Sequence, residues 1–235
     1  MGKIDIKGEI VDNDTGEFWD YVEVPLTYTY PKVIQQAIEN DEDEEIIVDV
    51  ASGGGDVFSA SEIYTMLKSS GKNIVVNIQG MAASAASVIS MAGNVINMSP
   101  TAQMMIHKAS VFGYGNSDDL EHQAKVLDGI DESIASAYEI RTGMKQEDLL
   151  KLMAEETWMN AKKALDLGFI DNIMFVNEDE EEVGMTFSNS IYKRPSKQVI
   201  NKFKNLIAKE QLKNEKDSQP KISLRDQKLA ILRAN

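Results

Sequence analysis

Glu45-Ile46-Ile47-Val48-Asp49-Val50, running into Ser52-Gly53-Gly54-Gly55, is the stretch on which the fold turns. A short β-branched run bounded by acidic and turn residues predicts a buried strand, and the glycines predict a turn after it. Downstream, Ile63, Met66 and Leu67 recur at helical spacing, residues 73–79 form a second apolar strand, and the small residues of 82–92 form a helix. Strand, glycine turn, helix, strand, helix is the alternation of an α/β protein with right-handed crossovers.

Working outward, Pro31 opens a helix carrying Val33, Ile34, Ala37 and Ile38. Before it, residues 3–11 and 21–24 alternate like strands around Asp12-Asn13-Asp14-Thr15-Gly16, which predicts a hairpin-like connection. Residues 95–98 and 103–106 predict short strands around Ser99-Pro100. A long helix over 118–141, capped by Ser117 and stopped by Thr142-Gly143, carries the stripe Leu120, Leu127, Ile130, Ile134 and Tyr138. Helices are expected at 147–153 and 161–167 and a strand at 169–176. The charged run 178–182 leads to a boundary near Ser188, dividing a main domain, 1–188, from an extension, 189–235, that is helical or partly disordered.

The 235 residues are 43% hydrophobic and 26% charged, a globular composition that excludes disorder throughout and collagen. There is no Cys, hence neither a disulfide framework nor a thiol nucleophile. Residues 81–98 look apolar but include Asn94 and Asn97, too polar for a bilayer span, and the start MGKIDIKGEI has no apolar core of a secretory signal. The expected location is the cytoplasm. Of the 24 Lys and Arg, 12 fall in residues 190–235, with only 4 of the 38 Asp and Glu: a balance of +8 there against −22 over residues 1–189. So acidic a body repels nucleic acid and phospholipid, and neither is expected as a partner.

Two histidines limit any imidazole chemistry to His107 and His122. His122, beside Glu121 and near Asp118 and Asp119, reads as a solvated helix residue. His107 ends the apolar run Met104-Met105-Ile106 before a glycine-containing loop, the place where a scaffold presents a polar group to a cleft, although on its own a hydrogen-bonded core histidine is the better reading. Zinc is not expected, for lack of Cys, HExxH or a third ligand. Gly53-Gly54-Gly55 lacks the spacing of a phosphate loop, and Asp56 would repel phosphate; the glycines permit close approach by a peptide or an anionic oxygen. Gly80-Met81-Ala82-Ala83-Ser84-Ala85-Ala86-Ser87 follows a strand and opens a helix, so Ser84 lies where unpaired N–H groups suit a nucleophile with an oxyanion hole; a packed small-residue helix is the competing reading.

VASGGGDV at 50–57, GMAASAAS at 80–87, MMIH at 104–107 and ETWMNAKKALDLGFID at 156–171, in that order and spacing, resemble the Clp peptidase superfamily, most closely the ClpP-like proteases of phage head maturation, over roughly residues 3–176. The resemblance implies a ClpP/crotonase-like α/β fold with repeated β-β-α units, a long handle-like helix and a C-terminal extension. It implies Ser84 as nucleophile, His107 as general base, Glu156 as the acid that orients it, Gly54 and Ala85 as the oxyanion-hole N–H donors, and Gly53 and Gly55 along the substrate. Two departures stand out. The family's Pro-Gly-Gly is Gly53-Gly54-Gly55 here, and the usual Asp is Glu156, with Glu155 beside it.

The function so implied is an ATP-independent serine endopeptidase, without cofactor or metal, that forms a homo-oligomeric ring and cleaves scaffold or capsid protein during procapsid maturation. Alternatives are a bacterial ClpP-type proteolytic subunit working with an unfoldase ATPase, a non-catalytic capsid assembly protein, and a crotonase-like acyl-CoA enzyme, the last disfavoured because the serine and histidine motifs have no role there.

Overall fold

The structure is a computed structural model and describes residues 2–176. The charged run, the boundary near Ser188 and the basic extension expected from the sequence lie outside the described residues. In chain order the elements are β1 (Gly2–Ile10), α1 (Asn13–Tyr21), β2 (Tyr28–Thr29), α2 (Pro31–Glu39), β3 (Glu45–Gly55), α3 (Val57–Ser69), β4 (Asn73–Ala83), α4 (Ala85–Ser90), β5 (Val95–Met98), β6 (Gln103–Ile106), α5 (Ser117–Thr142), α6 (Gln146–Ala154), β7 (Thr157–Asn160), α7 (Ala161–Asp166) and β8 (Asn172–Ile173). The sheet runs β2-β1-β3-β4-β5-β8, with β6 parallel to the far end of β4 and β7 antiparallel to β6. All other pairings are parallel, as the alternation of strands and helices requires.

Burial alternates along the central strands. Ile46, Val48 and Val50 of β3, Ile74, Val76 and Ile78 of β4, and Ile96 and Met98 of β5 are buried on one face and join the core. The other face carries a polar ladder. Register places Asp49, Asn77, Asn97 and Asn172 side by side. Asn172 donates to Asn97 (3.0 Å), Asn97 to Asn77 (3.0 Å) and Asn77 to Asp49 (3.2 Å), whose other oxygen pairs with Lys3 at 2.9 Å. Burial pushes the Asp49 carboxyl up, but the bonds from Lys3 and Asn77 outweigh it and hold the group below its ordinary value.

Several sequence expectations need correction. The acidic cluster at 12–16 starts a helix instead of turning a hairpin: Asp12 accepts from Thr15 N–H and Thr15 Oγ1, each at 2.8 Å, and residues 21–24 are not a strand. β3 runs on through Gly55, so the glycines are strand residues, and β4 runs to Ala83, which shortens the following helix to Ala85–Ser90. Asn116, not Ser117, caps α5, in a capping box with Asp119. Gly143, at φ 71°, does end that helix. Only Asn172–Ile173 of the expected strand 169–176 pairs, while β7 was not foreseen.

Candidate active site

Ser84 stands between the end of β4 and the start of α4, at φ 53° and ψ −125°. These are the angles of the first central residue of a type II′ turn, a position that favours glycine, so a serine there is strained and must be held. Three contacts hold it. Its N–H donates to Met105 O (2.9 Å), and its carbonyl accepts from Ser87 N–H (2.9 Å) and Ser87 Oγ (2.6 Å). Because the Ser87 hydroxyl proton is used on that carbonyl, Tyr138 OH must be the donor in its 2.7 Å contact with Ser87 Oγ. Burial pushes the fully enclosed Tyr138 phenol well up, which keeps it a donor.

The same strand pairing delivers the base. Ala83 is in register with Met105 of β6, so Ser84 follows one strand end and His107 the other. His107 Nε2 lies 2.7 Å from Ser84 Oγ, and His107 is half-buried. A hydroxyl at this distance from a neutral imidazole nitrogen can lose its proton as it attacks an electrophile. His122 is exposed on α5, where the sequence placed it.

Gly54 of β3 reaches the same point. A Cβ built on it would lie 2.7 Å from Ala83 O, 2.8 Å from Ser84 Cβ and 3.0 Å from Ala85 N, and its φ of +102° suits glycine. Ala85 is the first residue of α4, so its N–H has no partner within the helix. Gly54 N–H is engaged: it donates to Ser52 Oγ (3.1 Å), which itself donates to Gly8 O (2.5 Å). Gly53 is exposed near Met81, and Gly55 abuts Ile10 of β1, where a Cβ would fall 2.0 Å from Ile10 O. Gly55 is therefore required by the pairing of β1 with β3.

Glu156 is not joined to this pair. It follows the α6 C-cap Glu155 in a left-handed conformation (φ 49°), so the two acids occupy a turn, not an extended segment. Its Oε1 accepts from Trp158 Nε1 at 3.1 Å, and among the described residues no hydrogen bond to His107 Nδ1 is formed. Ser52, Ser87 and Tyr138 back the segments around Gly54 and Ser84, and none of them is singled out as functional by the sequence. Tyr138 is legible only as part of an apolar stripe and Ser87 only as part of the small-residue motif, and Ser52 leaves no signal of its own.

A cavity of about 530 Å³ opens from Ser84 and His107 between α3 and α5, walled by Val57, Phe58, Val88, Ile130 and Ile134. Its size and apolar walls suit side chains of an extended chain. Among the described residues no cluster of three or more His, Asp or Glu could hold a metal ion, and no helix is long and apolar enough to cross a membrane.

The Clp protease family profile matches residues 29–177. The chain is 31% identical over 134 residues to the ATP-dependent Clp protease proteolytic subunit of Deinococcus radiodurans, covering 56% of this chain and 66% of that subunit. It is 29% identical over 140 residues to proteolytic subunit 1 of Chlamydia abortus (58% and 73%), and 28% identical over 136 residues to proteolytic subunit 2 of Tropheryma whipplei (57% and 76%). The chain thus spans about two thirds to three quarters of the length of these relatives. With the matched segment containing the serine, the histidine and the strand pairing that joins them, the chain belongs to the Clp protease family.

Proposed function

We propose that the protein is a serine endopeptidase in which Ser84 is the nucleophile and His107 the general base. The observation that carries this is the 2.7 Å contact between Ser84 Oγ and His107 Nε2, made from a serine held in a strained turn. Ser84 Oγ attacks the peptide carbonyl carbon while His107 Nε2 takes its proton. Ala85 N–H receives the developing oxyanion, joined by Gly54 N–H once it turns from Ser52. His107 then gives the proton to the leaving amine, and water, activated by the same imidazole, releases the acyl group from Ser84. Glu156 orients His107 in this scheme after leaving Trp158 Nε1. Gly53, at the exposed edge, lies along the bound chain.

The relatives are named as proteolytic subunits of ATP-dependent proteases, which supports a homo-oligomeric subunit that receives polypeptide from an unfoldase ATPase. The procapsid reading stays second; it rests on the resemblance of the motifs at 50–57, 80–87, 104–107 and 156–171, in their order and spacing, to the phage branch. A fluorophosphonate that labels Ser84, mapped by peptide mass, tests the chemistry: an adduct elsewhere, or none, refutes it. Degradation of a folded protein only when an unfoldase ATPase and ATP are added supports the first setting. Cleavage of a scaffold or capsid protein with neither supports the second.

A further inference from the structure

Asp131 is a buried acid that the proposed chemistry does not use. It sits on α5, 3% exposed, among Ile130, Ile134 and Ala135 of the core side of that helix. A carboxylate in such a place is costly unless both oxygens are satisfied. Here both are, and by consecutive residues that follow His107 directly. Asp131 Oδ1 accepts from Ala109 N–H at 2.7 Å, and Oδ2 lies 3.3 Å from Lys108 Nζ. On the other side of the same segment, Lys108 N–H donates to Met153 O of α6 at 3.3 Å.

The location matters because His107 is the first residue beyond the end of β6. Pairing of β6 with β4 and β7 fixes the residues through Ile106. Beyond Ile106 no strand constrains the backbone, and the residues from Ser110 to Asn116 are exposed and outside any helix or strand. The imidazole would therefore hang from the fixed end of a strand into a free loop, were Lys108 and Ala109 not tied down. Asp131 supplies the tie on the α5 side, and Met153 O the tie on the α6 side.

We infer that Asp131 is a positioning residue for His107: by fixing Lys108 and Ala109 it sets the imidazole against Ser84. This rests on the proposal that Ser84 and His107 are nucleophile and base. Because Lys108 neutralises much of the carboxylate charge, the role lies in the hydrogen bond to Ala109 N–H more than in the field at the imidazole. An amide in place of the carboxylate keeps an acceptor for that N–H, while an alanine removes it. Asp131 does not line the cavity beside Ser84, so its loss acts on reaction and not on substrate binding.

The test measures fluorophosphonate phosphonylation of Ser84, in which Oγ displaces fluoride from phosphorus, and steady-state cleavage of a fluorogenic peptide by the full chain, with folding checked by circular dichroism. Asp131→Ala is expected to slow phosphonylation and lower kcat on the order of 10- to 100-fold, the effect of misplacing a reacting group by about an ångström, with KM unchanged. Asp131→Asn is expected to stay within about threefold of wild type, which separates a lost acceptor from a lost charge. If Asp131→Ala does not fold, the double variant Asp131→Leu/Lys108→Met decides, since an apolar replacement of a buried ion pair is often tolerated while Ala109 N–H still loses its acceptor. A wild-type rate of phosphonylation in a folded Asp131→Ala or in the folded double variant overturns the inference alone. So does an Asp131→Asn protein as impaired as Asp131→Ala. A wild-type protein whose Ser84 is not labelled overturns the serine-peptidase reading, and the inference with it.

Discussion

Gly54→Ala probes the point where three segments of the site converge. The added methyl would meet Ala83 O at 2.7 Å, Ser84 Cβ at 2.8 Å and Ala85 N at 3.0 Å, and two of these are backbone atoms with little room to yield. Its φ of +102° adds the strain of a left-handed L residue, about 1–2 kcal/mol. Overpacking of a tight site adds about 1–3 kcal/mol, so a destabilisation of about 2–5 kcal/mol is expected in all. For a domain of this size that lowers Tm by roughly 4–20 °C. The methyl also crowds Ala85 N–H, and losing one oxyanion donor costs about 10²- to 10³-fold in kcat. Thermal melts followed by circular dichroism, and peptide cleavage well below the melt, measure the two effects separately. Gly80→Ala is the control: its Cβ would meet nothing within 4 Å, so its stability should change by less than about 0.5 kcal/mol. A Gly54→Ala protein with unchanged Tm and activity within threefold of wild type would refute the convergence of Gly54, Ser84 and Ala85.

Ser84→Ala should abolish cleavage with little change in stability, and His107→Ala should be nearly as severe while His122→Ala is mild; the reverse order in a peptide assay would move the base to α5. Glu156→Gln should lower kcat by about 10-fold, well short of the ~10⁴-fold of a triad acid already engaged, because the carboxylate must first leave Trp158 Nε1 to reach His107; Glu155→Gln should leave activity within twofold, and equal losses would contradict this. The bond to Asp20 and then burial raise Tyr28 to about 12, and burial and then Asp20 raise Tyr30 to about 12. Because these folded values lie above the unfolded value of about 10, their contribution to stability is complete below pH ~10 and is lost as pH rises through ~12. Phenolate absorbance should show Tyr28 and Tyr30 missing from the tyrosines that titrate near ~10, and Asp20→Asn should return Tyr28 most of the way but Tyr30 only in part, since burial is its larger cause. A chain ending at Ser188 is expected to fold and to retain cleavage of a short peptide while losing salt-sensitive association; loss of the folded signal would place residues beyond 188 in the main domain.

What the sequence determined is what a few neighbouring residues can encode. Ile46, Val48 and Val50 announce a strand by side-chain type, Pro31 and Gly143 mark helix ends by their own backbone limits, and the order of small residues around Ser84 puts it at a strand-to-helix junction. Asp12 shows the limit of such reading, since an acid before Thr15 serves a turn or a helix cap equally well, and Tyr30 packed over Gly16 goes with the helix. Tertiary structure decided everything that depends on register between distant strands. Pairing of Ala83 with Met105 sets Ser84 against His107, and the alignment of Asp49, Asn77, Asn97 and Asn172 turns four scattered polar residues into one ladder. Asp131 lies 22 positions from the Ala109 N–H it accepts and Tyr138 lies 51 from Ser87, so their roles exist only once α5 has packed. Glu156 differs for the same reason: its place in the motif is local, but whether its carboxylate meets an imidazole or an indole is settled by the turn after α6.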